Sequence, residues 1–190
     1  MTDTVMPPET YVALLRGINV GGKNRLPMEP LRRLFEGAGC DAVRTYIQSG
    51  NVVFEASPAL ASRVPELIEA GIEREFGHHV PLLLRSTAQM AAVIAQTPFD
   101  TDAIEAKWLH IGFLRARPAD ALAASLDPER SPPDHFELRG QEIYLWYPNG
   151  SARSKLTTTY FDRVLETSVT IRNWRTVSKL LEMMTSAPTV

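Results

Sequence analysis

Residues 80–94 read VPLLLRSTAQMAAVI, and residues 169–183, in the second half of the chain, read VTIRNWRTVSKLLEM. The two stretches share one order of features: an apolar segment typical of a buried strand, a basic residue, a polar residue suited to helix capping, and an amphipathic helix. A pattern that recurs in both halves indicates an internal duplication. Chance agreement between two α+β halves is the alternative, because the likeness is one of pattern and not of identity.

The rest of the first half completes a β-α-β-β-α-β order that is followed by one further helix. Polarity alternates on both sides of Ser49-Gly50, which predicts a hairpin, and apolar residues at helical spacing follow Pro27 and Pro58. The predicted strands are Tyr11–Arg16, Val43–Gln48, Asn51–Glu55 and Val80–Leu84, and the predicted helices are 27–35, one between Pro58 and Gly77, and 86–95.

The second half repeats this order. Its predicted strands are Trp108–Leu114, Phe136–Arg139, Ile143–Tyr147 and Val169–Arg172, and its predicted helices are Ala119–Leu126, Lys155–Leu165 and a last one ending at Met184. We therefore predict an α+β fold, a tandem duplication of a ferredoxin-like βαββαβ unit with antiparallel sheets, each unit followed by an extra helix. The expected organisation is a leader (1–10), a first repeat (11–97), a linker (98–107) and a second repeat (108–185), with one compact fold as the alternative.

Composition excludes several classes of protein. The chain has 190 residues, a formal net charge of −2 and a pI near 6.1, which argues against binding dominated by nonspecific attraction to nucleic acid. The single cysteine, Cys40, rules out an internal disulfide and a cysteine-rich zinc site, and we expect it to be a small, partly buried residue at the exit of a helix. Residues 1–10 lack signal-peptide features and no apolar run of about 18 residues occurs, so we expect a cytoplasmic protein without membrane contact.

The richest functional signal is GINVGGKNR at residues 17–25, directly after the first predicted strand. In a ferredoxin-like sheet the first strand lies between the third and the fourth. Its exit loop (16–25) therefore meets the hairpin (48–51) and the start of the fourth strand (78–79), and we call this meeting point the glycine rim. Glycines let backbone N–H groups converge on an anion, while basic and amide side chains add charge and donors. The predicted ligand-binding residues here are Arg16, Gly17, Asn19, Gly21, Gly22, Lys23, Asn24, Gln48, Ser49 and Asn51.

Residues 17–24 also meet most of the phosphate-loop pattern G-x-x-x-x-G-K-[ST]. The last position fails, because Asn24 carries no hydroxyl for magnesium, and the predicted hairpins are incompatible with the parallel sheet of phosphate-loop NTPases. Two interpretations of the loop stay open, a structural glycine turn and an anion-binding loop.

A second basic cluster is predicted where the exits of the third and fourth strands of the second repeat meet. Ser154 and Lys155 are predicted to open a helix, whose free N–H groups and dipole favour an anion. Arg172 and Asn173 follow the last strand. These residues complete the predicted ligand-binding set.

Searches for metal, catalytic and base-stacking motifs assign no further site. No H-x-H or H-E-x-x-H spacing and no G-x-S-x-G motif occurs, so we predict no metal site and no cofactor and assign no catalytic residue. Strand parity puts Trp108 with His110, and Tyr144 with Trp146, on shared faces, as in RNA-recognition modules whose aromatic rings stack on bases. Burial of these rings is the favoured interpretation, since large apolar faces are seldom exposed.

Three segments carry a family resemblance: LLRGINVGGKNRLPM (14–28), TYIQSGNVVF (45–54) and TIRNWRTVSKL (170–180). Through them the chain, from about Tyr11 to Leu181, closely resembles the bacterial family called domain of unknown function 1697. The resemblance implies an α+β fold of ferredoxin-like repeats and no established activity.

Three functional hypotheses follow. The first is a cytosolic protein that binds an anionic small molecule, a nucleotide or another phosphorylated metabolite, at the glycine rim. The second is an enzyme that uses Lys155, Arg172 and Asn173 on such a ligand, although no pair of base and nucleophile is visible. The third is a nucleic-acid-binding module that uses the aromatic face and the basic clusters.

Overall fold

The computed structural model describes residues 7–21 and 24–186. Its strands are β1 (Glu9–Leu15), β2 (Asp41–Tyr46), β3 (Asn51–Ala56), β4 (Leu82–Ser86), β5 (Leu109–Leu114), β6 (His135–Arg139), β7 (Glu142–Trp146) and β8 (Val169–Asn173). Its helices are α1 (Met28–Gly37), α2 (Pro58–Ala61), α3 (Val64–Phe76), α4 (Thr87–Ala95), α5 (Asp120–Ala124), α6 (Thr158–Leu165) and α7 (Trp174–Thr185), with a short 3-10 helix at Ser151–Arg153. Apart from the short helix α2 and the 3-10 helix, this element order is the predicted one.

The strands form two four-stranded antiparallel sheets, in the orders β2-β3-β1-β4 and β6-β7-β5-β8. In each sheet the first strand lies between the third and the fourth, as a ferredoxin-like unit requires. The predicted fold, a duplicated α+β unit with an extra helix after each copy, is confirmed. Two compact units result, of which the first combines the described residues up to Met90 with those from Leu180 onward, and the second spans Ala91–Lys179.

The core of the first unit lies between one face of its sheet and the helices α1 and α3. Phe54 of β3 packs on Phe35 of α1 with ring centroids 5.2 Å apart, and both rings are fully buried together with Ile68 and Ile72 of α3. Removing side chains of this size from water contributes roughly 1.5–3 kcal/mol each. The apolar stripes of the two helices therefore fix which face of the sheet they cover.

The second unit has a matching core between its sheet and α6. Phe161 and Leu165 of α6 are buried against Ile143 and Leu145 of β7, and the buried Tyr147 donates its hydroxyl hydrogen to the carbonyl of Leu156 at 3.0 Å. This bond holds the chain that leads into α6 against the end of β7.

The first unit includes a contact between residues far apart in sequence. Arg44 of β2 donates from Nη2 to the backbone carbonyl of Met183, in the last turn of α7, at 2.7 Å. The C-terminal part of α7 is thus a structural component of the first unit.

Helix starts differ from prediction at two places. The helix predicted after Pro58 is divided into α2 and α3, and α3 restarts with Pro65 in its first turn. The helix predicted from Lys155 begins only at Thr158, because the hydroxyl of Thr157 accepts from the backbone N–H of Tyr160 at 3.2 Å and caps it. The prediction that Ser154 and Lys155 open a helix is therefore wrong.

Cys40 is buried at the exit of α1, with 4% of its surface exposed. Burial, assisted by the nearby negative charge of Asp41, raises the pKa of its thiol to about 11. Because the thiolate is the reactive form, we expect Ellman's reagent at pH 8 to modify the folded protein at least about 100-fold more slowly than the urea-unfolded chain. Equal rates in the two states would contradict this assignment of Cys40 as a structural residue.

Candidate functional site

Asn19 is the centre of the glycine rim. Its Nδ2 donates to the carbonyl of Leu26 at 2.9 Å and to the carbonyl of Gln48 at 2.8 Å, and its Oδ1 accepts from the N–H of Leu26 at 2.9 Å. Asn19 has a φ of 54°, a conformation that asparagine tolerates better than most residues. One side chain thus closes the loop on itself and joins it to the hairpin.

The hairpin is held to β1 through Gly50. The backbone N–H of Leu15 donates to the carbonyl of Gly50 at 2.8 Å, and Asn51, which is fully buried, donates from Nδ2 to the hydroxyl of Ser49 at 2.9 Å and to the carbonyl of Tyr46 at 3.2 Å. Gly50 has a φ of 74°, and an added Cβ would lie 2.7 Å from Cβ of Leu15. The turn therefore requires glycine at this position.

The start of β4 reaches the same end of the unit. The backbone N–H of Arg16 donates to the carbonyl of Pro81 at 2.9 Å, and the N–H of the next residue, Leu82, donates to Oε1 of Glu69 at 2.8 Å. Direct bonds therefore connect the exit of β1 both to the hairpin and to the start of β4, the meeting of loops that the strand order predicted.

The amides at the rim serve the fold. Asn24 donates from Nδ2 to the carbonyl of Gly17 at 3.1 Å, so the side-chain amides of Asn19, Asn24 and Asn51 are all used within the loops. The side chains of Gln48 and Arg25 are exposed, that of Arg16 is half-buried, and Gly17 and Gly21 are exposed with positive φ. The predicted contributions of Gly22 and Lys23 lie outside the described residues.

Two loops of the rim, residues 16–27 and 47–50, together contain basic residues and no acidic one. Between Arg16 and Pro27 the sequence has Arg16, Lys23 and Arg25 and no acidic residue, and residues 47–50 also lack one. Val20 and Ile47, which lie in the joined loops, are exposed apolar residues at 65% and 52%. The rim thus presents positive charge beside apolar surface.

Two residues of the second predicted set are built into the fold. Arg172 is 8% exposed and donates from Nη1 to the hydroxyl of Thr170 at 2.7 Å and to the carbonyl of Ile171 at 3.1 Å; loss of hydration on burial lowers its pKa to about 10. Asn173 accepts from the N–H of Arg175 at 3.0 Å, which caps α7, and donates from Nδ2 to the carbonyl of Lys107 at 3.0 Å. Both side chains have structural contacts where ligand contacts were predicted.

Ser154 and Lys155 lie in another environment, beside residues that the sequence did not single out. The Ser154 hydroxyl accepts from the N–H of Leu156 at 3.0 Å, and the N–H of Lys155 donates to Oγ of Ser131 at 3.0 Å. Ser131 begins the segment SPPD (131–134). The sequence marks this segment only by two prolines flanked by polar residues. That pattern does not by itself indicate a ligand or a reaction.

The aromatic face of the second sheet combines one buried ring with half-buried ones. Tyr144 is 1% exposed, its hydroxyl donates to the carbonyl of Val93 at 2.9 Å, and burial raises its pKa to about 12. Trp146 stacks on His135 at 5.2 Å and packs near Phe99. The favoured interpretation of these rings as packing residues agrees with the burial of Tyr144, whereas Trp146 is half-buried.

Residues 7–21 and 24–186 contain no group of three or more histidine, cysteine, aspartate or glutamate side chains placed to hold a metal ion. Within the same residues, none of the helices combines the length and apolar character needed to cross a bilayer.

Comparisons with known proteins identify the family. A search of curated proteins finds no match to the chain. Among solved structures the chain is similar to the conserved bacterial protein SP0830 from Streptococcus pneumoniae, with 25% identity, a TM-score of 0.72, and coverage of 94% of this chain and 99% of that one. The pattern of a family described as "Protein of unknown function (DUF1697)" matches residues 9–144. This chain therefore belongs to the DUF1697 family.

Proposed function

We propose that the protein is a cytosolic binding protein for an anionic small molecule, a nucleotide or another phosphorylated metabolite, at the glycine rim. The observation that supports the proposal is the bonding of Asn19 to Leu26 and to Gln48, which joins the described parts of the two loops. The sequence of the first loop has three cations and no carboxylate. A site whose shape is fixed before binding loses less conformational freedom when the ligand arrives.

Different groups have different roles in this proposal. Asn19, Asn24 and Asn51 frame the loops and leave ligand contact to other groups. Arg16, Lys23 and Arg25 supply charge for a phosphate, and N–H groups near Gly17 and Gly21, where φ is positive, supply donors. The exposed Val20 and Ile47 offer apolar contact, which favours a ligand that has an apolar ring as well as a phosphate.

The catalytic hypothesis gains no such support. Arg172 and Asn173, two of its three residues, make hydrogen bonds within the fold, and Lys155 lies before α6 instead of at its first turn. For the nucleic-acid hypothesis, Tyr144, one of the four predicted stacking residues, is buried. Small-molecule binding is the proposal that the arrangement of the rim supports best.

Calorimetric titration with nucleotides and phosphosugars tests it. For a ligand found in this way, we expect Arg16→Ala and Lys23→Ala each to raise Kd about tenfold, the effect of losing one charge-assisted contact, and we expect added salt to weaken binding. Arg74→Ala is the matched control, because Arg74 is an exposed arginine of α3 outside the rim, and it should leave Kd unchanged. A ligand bound equally by wild type and by folded Arg16→Ala and Lys23→Ala proteins would refute the proposal.

A further inference from the structure

We infer that the second unit contains a separate binding site, for a small zwitterionic molecule that carries an ammonium and an acidic group, of the chemical class of free amino acids. The inference concerns residues outside the glycine rim and does not rest on the proposed function. It begins with a cavity of about 420 Å³ between the segments 131–134 and 149–154. Small-molecule sites typically have volumes of about 300–1,000 Å³, so the space fits one small ligand.

Hydrogen bonds hold the walls of this cavity together. Ser131 donates its hydroxyl hydrogen to Oδ2 of Asp134 at 2.7 Å, and the same hydroxyl accepts from the N–H of Lys155 at 3.0 Å. The N–H of Asp134 donates to the carbonyl of Ser131 at 2.8 Å. These bonds connect the loop before β6 with the segment before α6 and fix the orientation of the Asp134 carboxylate.

Asp134 indicates the positively charged group of the ligand. It lines the cavity and is 8% exposed. Its carboxylate accepts a hydrogen bond from Ser131, and among the described residues no lysine, arginine or histidine forms an ion pair with it. A buried carboxylate is stable when it is paired, because desolvation of an isolated charge is costly. An ammonium group on the ligand supplies the missing partner.

Arg153 indicates the acidic group of the ligand. It lines the same cavity, its side chain is exposed, and its guanidinium has no carboxylate partner among the described residues. A guanidinium binds a carboxylate through parallel hydrogen bonds. The ionisable residues that line the cavity are therefore one buried acid and one exposed base, a pair that matches a zwitterion better than a dianion.

Ligand-detected NMR and calorimetry with the full-length protein and the free amino acids as probes test this inference. We expect at least one amino acid to bind, and its N-acetyl and its amidated derivatives each to bind at least about tenfold more weakly, because each lacks one of the two charges. The inference is overturned if no amino acid binds or if a bound one is insensitive to both modifications.

Substitutions of residues that line the cavity test whether the amino acid binds there. Asp134→Asn and Arg153→Gln should each raise Kd about tenfold, and the asparagine keeps an oxygen that can accept from Ser131. Arg163→Gln, at an exposed arginine of α6 outside the cavity lining, is the matched control and should leave Kd unchanged. Because Arg153 is exposed, its replacement keeps the test informative even if Asp134→Asn unfolds. Lys23→Ala should also have no effect, which separates this site from the glycine rim, and unchanged binding in a folded Arg153→Gln protein would overturn the assignment.

Discussion

Replacing Gly50 by alanine is expected to lower the free energy of unfolding by about 3 kcal/mol, since two costs combine. A φ of 74° disfavours any residue with a Cβ, and the added Cβ would lie 2.7 Å from Cβ of Leu15 and 2.8 Å from Cδ1 of Ile18. Both neighbours are fully buried or nearly so, which leaves them little room to move. Calorimetry should show a fall in Tm of roughly 6–12 °C.

Two other glycines provide matched controls for the two costs. Gly77 has a φ of 69° but no atom within 4 Å of the position that an added Cβ would occupy, and Gly37 has neither a positive φ nor a neighbour at that distance. Gly77→Ala should therefore cost about 1 kcal/mol, whereas Gly37→Ala, within α1, should be neutral or slightly stabilising. If Gly50→Ala and Gly77→Ala unfold at the same temperature, close packing at the hairpin is not what requires Gly50.

Asn19→Ala is expected to cost roughly 2–3 kcal/mol, because it removes three hydrogen bonds of about 1 kcal/mol each. The effect should be local as well as global. Hydrogen exchange at the N–H of Leu26, which loses its acceptor, should become faster than in wild type. Ligand affinity at the glycine rim should fall too, although no charge has been removed, because the loops lose their fixed arrangement.

Asn24→Ala is the comparison for Asn19→Ala. Asn24 also has a positive φ, of 47°, but among the described residues its amide makes one hydrogen bond, to the carbonyl of Gly17, so its replacement should cost only about 1 kcal/mol. Asn19→Gly separates conformation from bonding, since glycine accepts the backbone angle but restores no bond. A loss of stability in Asn19→Ala that glycine fully repairs would contradict the proposed role of the amide.

The sequence predicted the fold well because the fold depends on periodicity and turns. Alternating polarity around Ser49-Gly50 indicated the hairpin, and the repeated strand, basic residue, cap and helix indicated the duplication. In the structure the caps are Ser86, whose hydroxyl accepts from the N–H of Gln89, and Asn173. Such patterns involve residues that are close together in the chain, so they can be recognised from the sequence alone.

The candidate sites were less predictable, because the use of a polar side chain depends on distant partners. The sequence could not reveal that Asn19 bonds to the carbonyl of Gln48, or that the strand position of Arg172 makes it a buried residue. The cavity near Asp134 is formed by two segments, 131–134 and 149–154. Because neither segment forms it alone, the sequence pattern of each could not predict it.

The bond between Arg44 and the carbonyl of Met183 bears on how the protein is made. The first unit includes residues from Leu180 onward, and Ala91–Lys179 are translated before them. At roughly 5–20 residues per second, this intervening segment takes on the order of 4–18 s to synthesise. During that time the first sheet has emerged from the ribosome without the helical segment that completes its unit. The contact between Arg44 and Met183 can therefore form only after the last residues of the first unit have been translated.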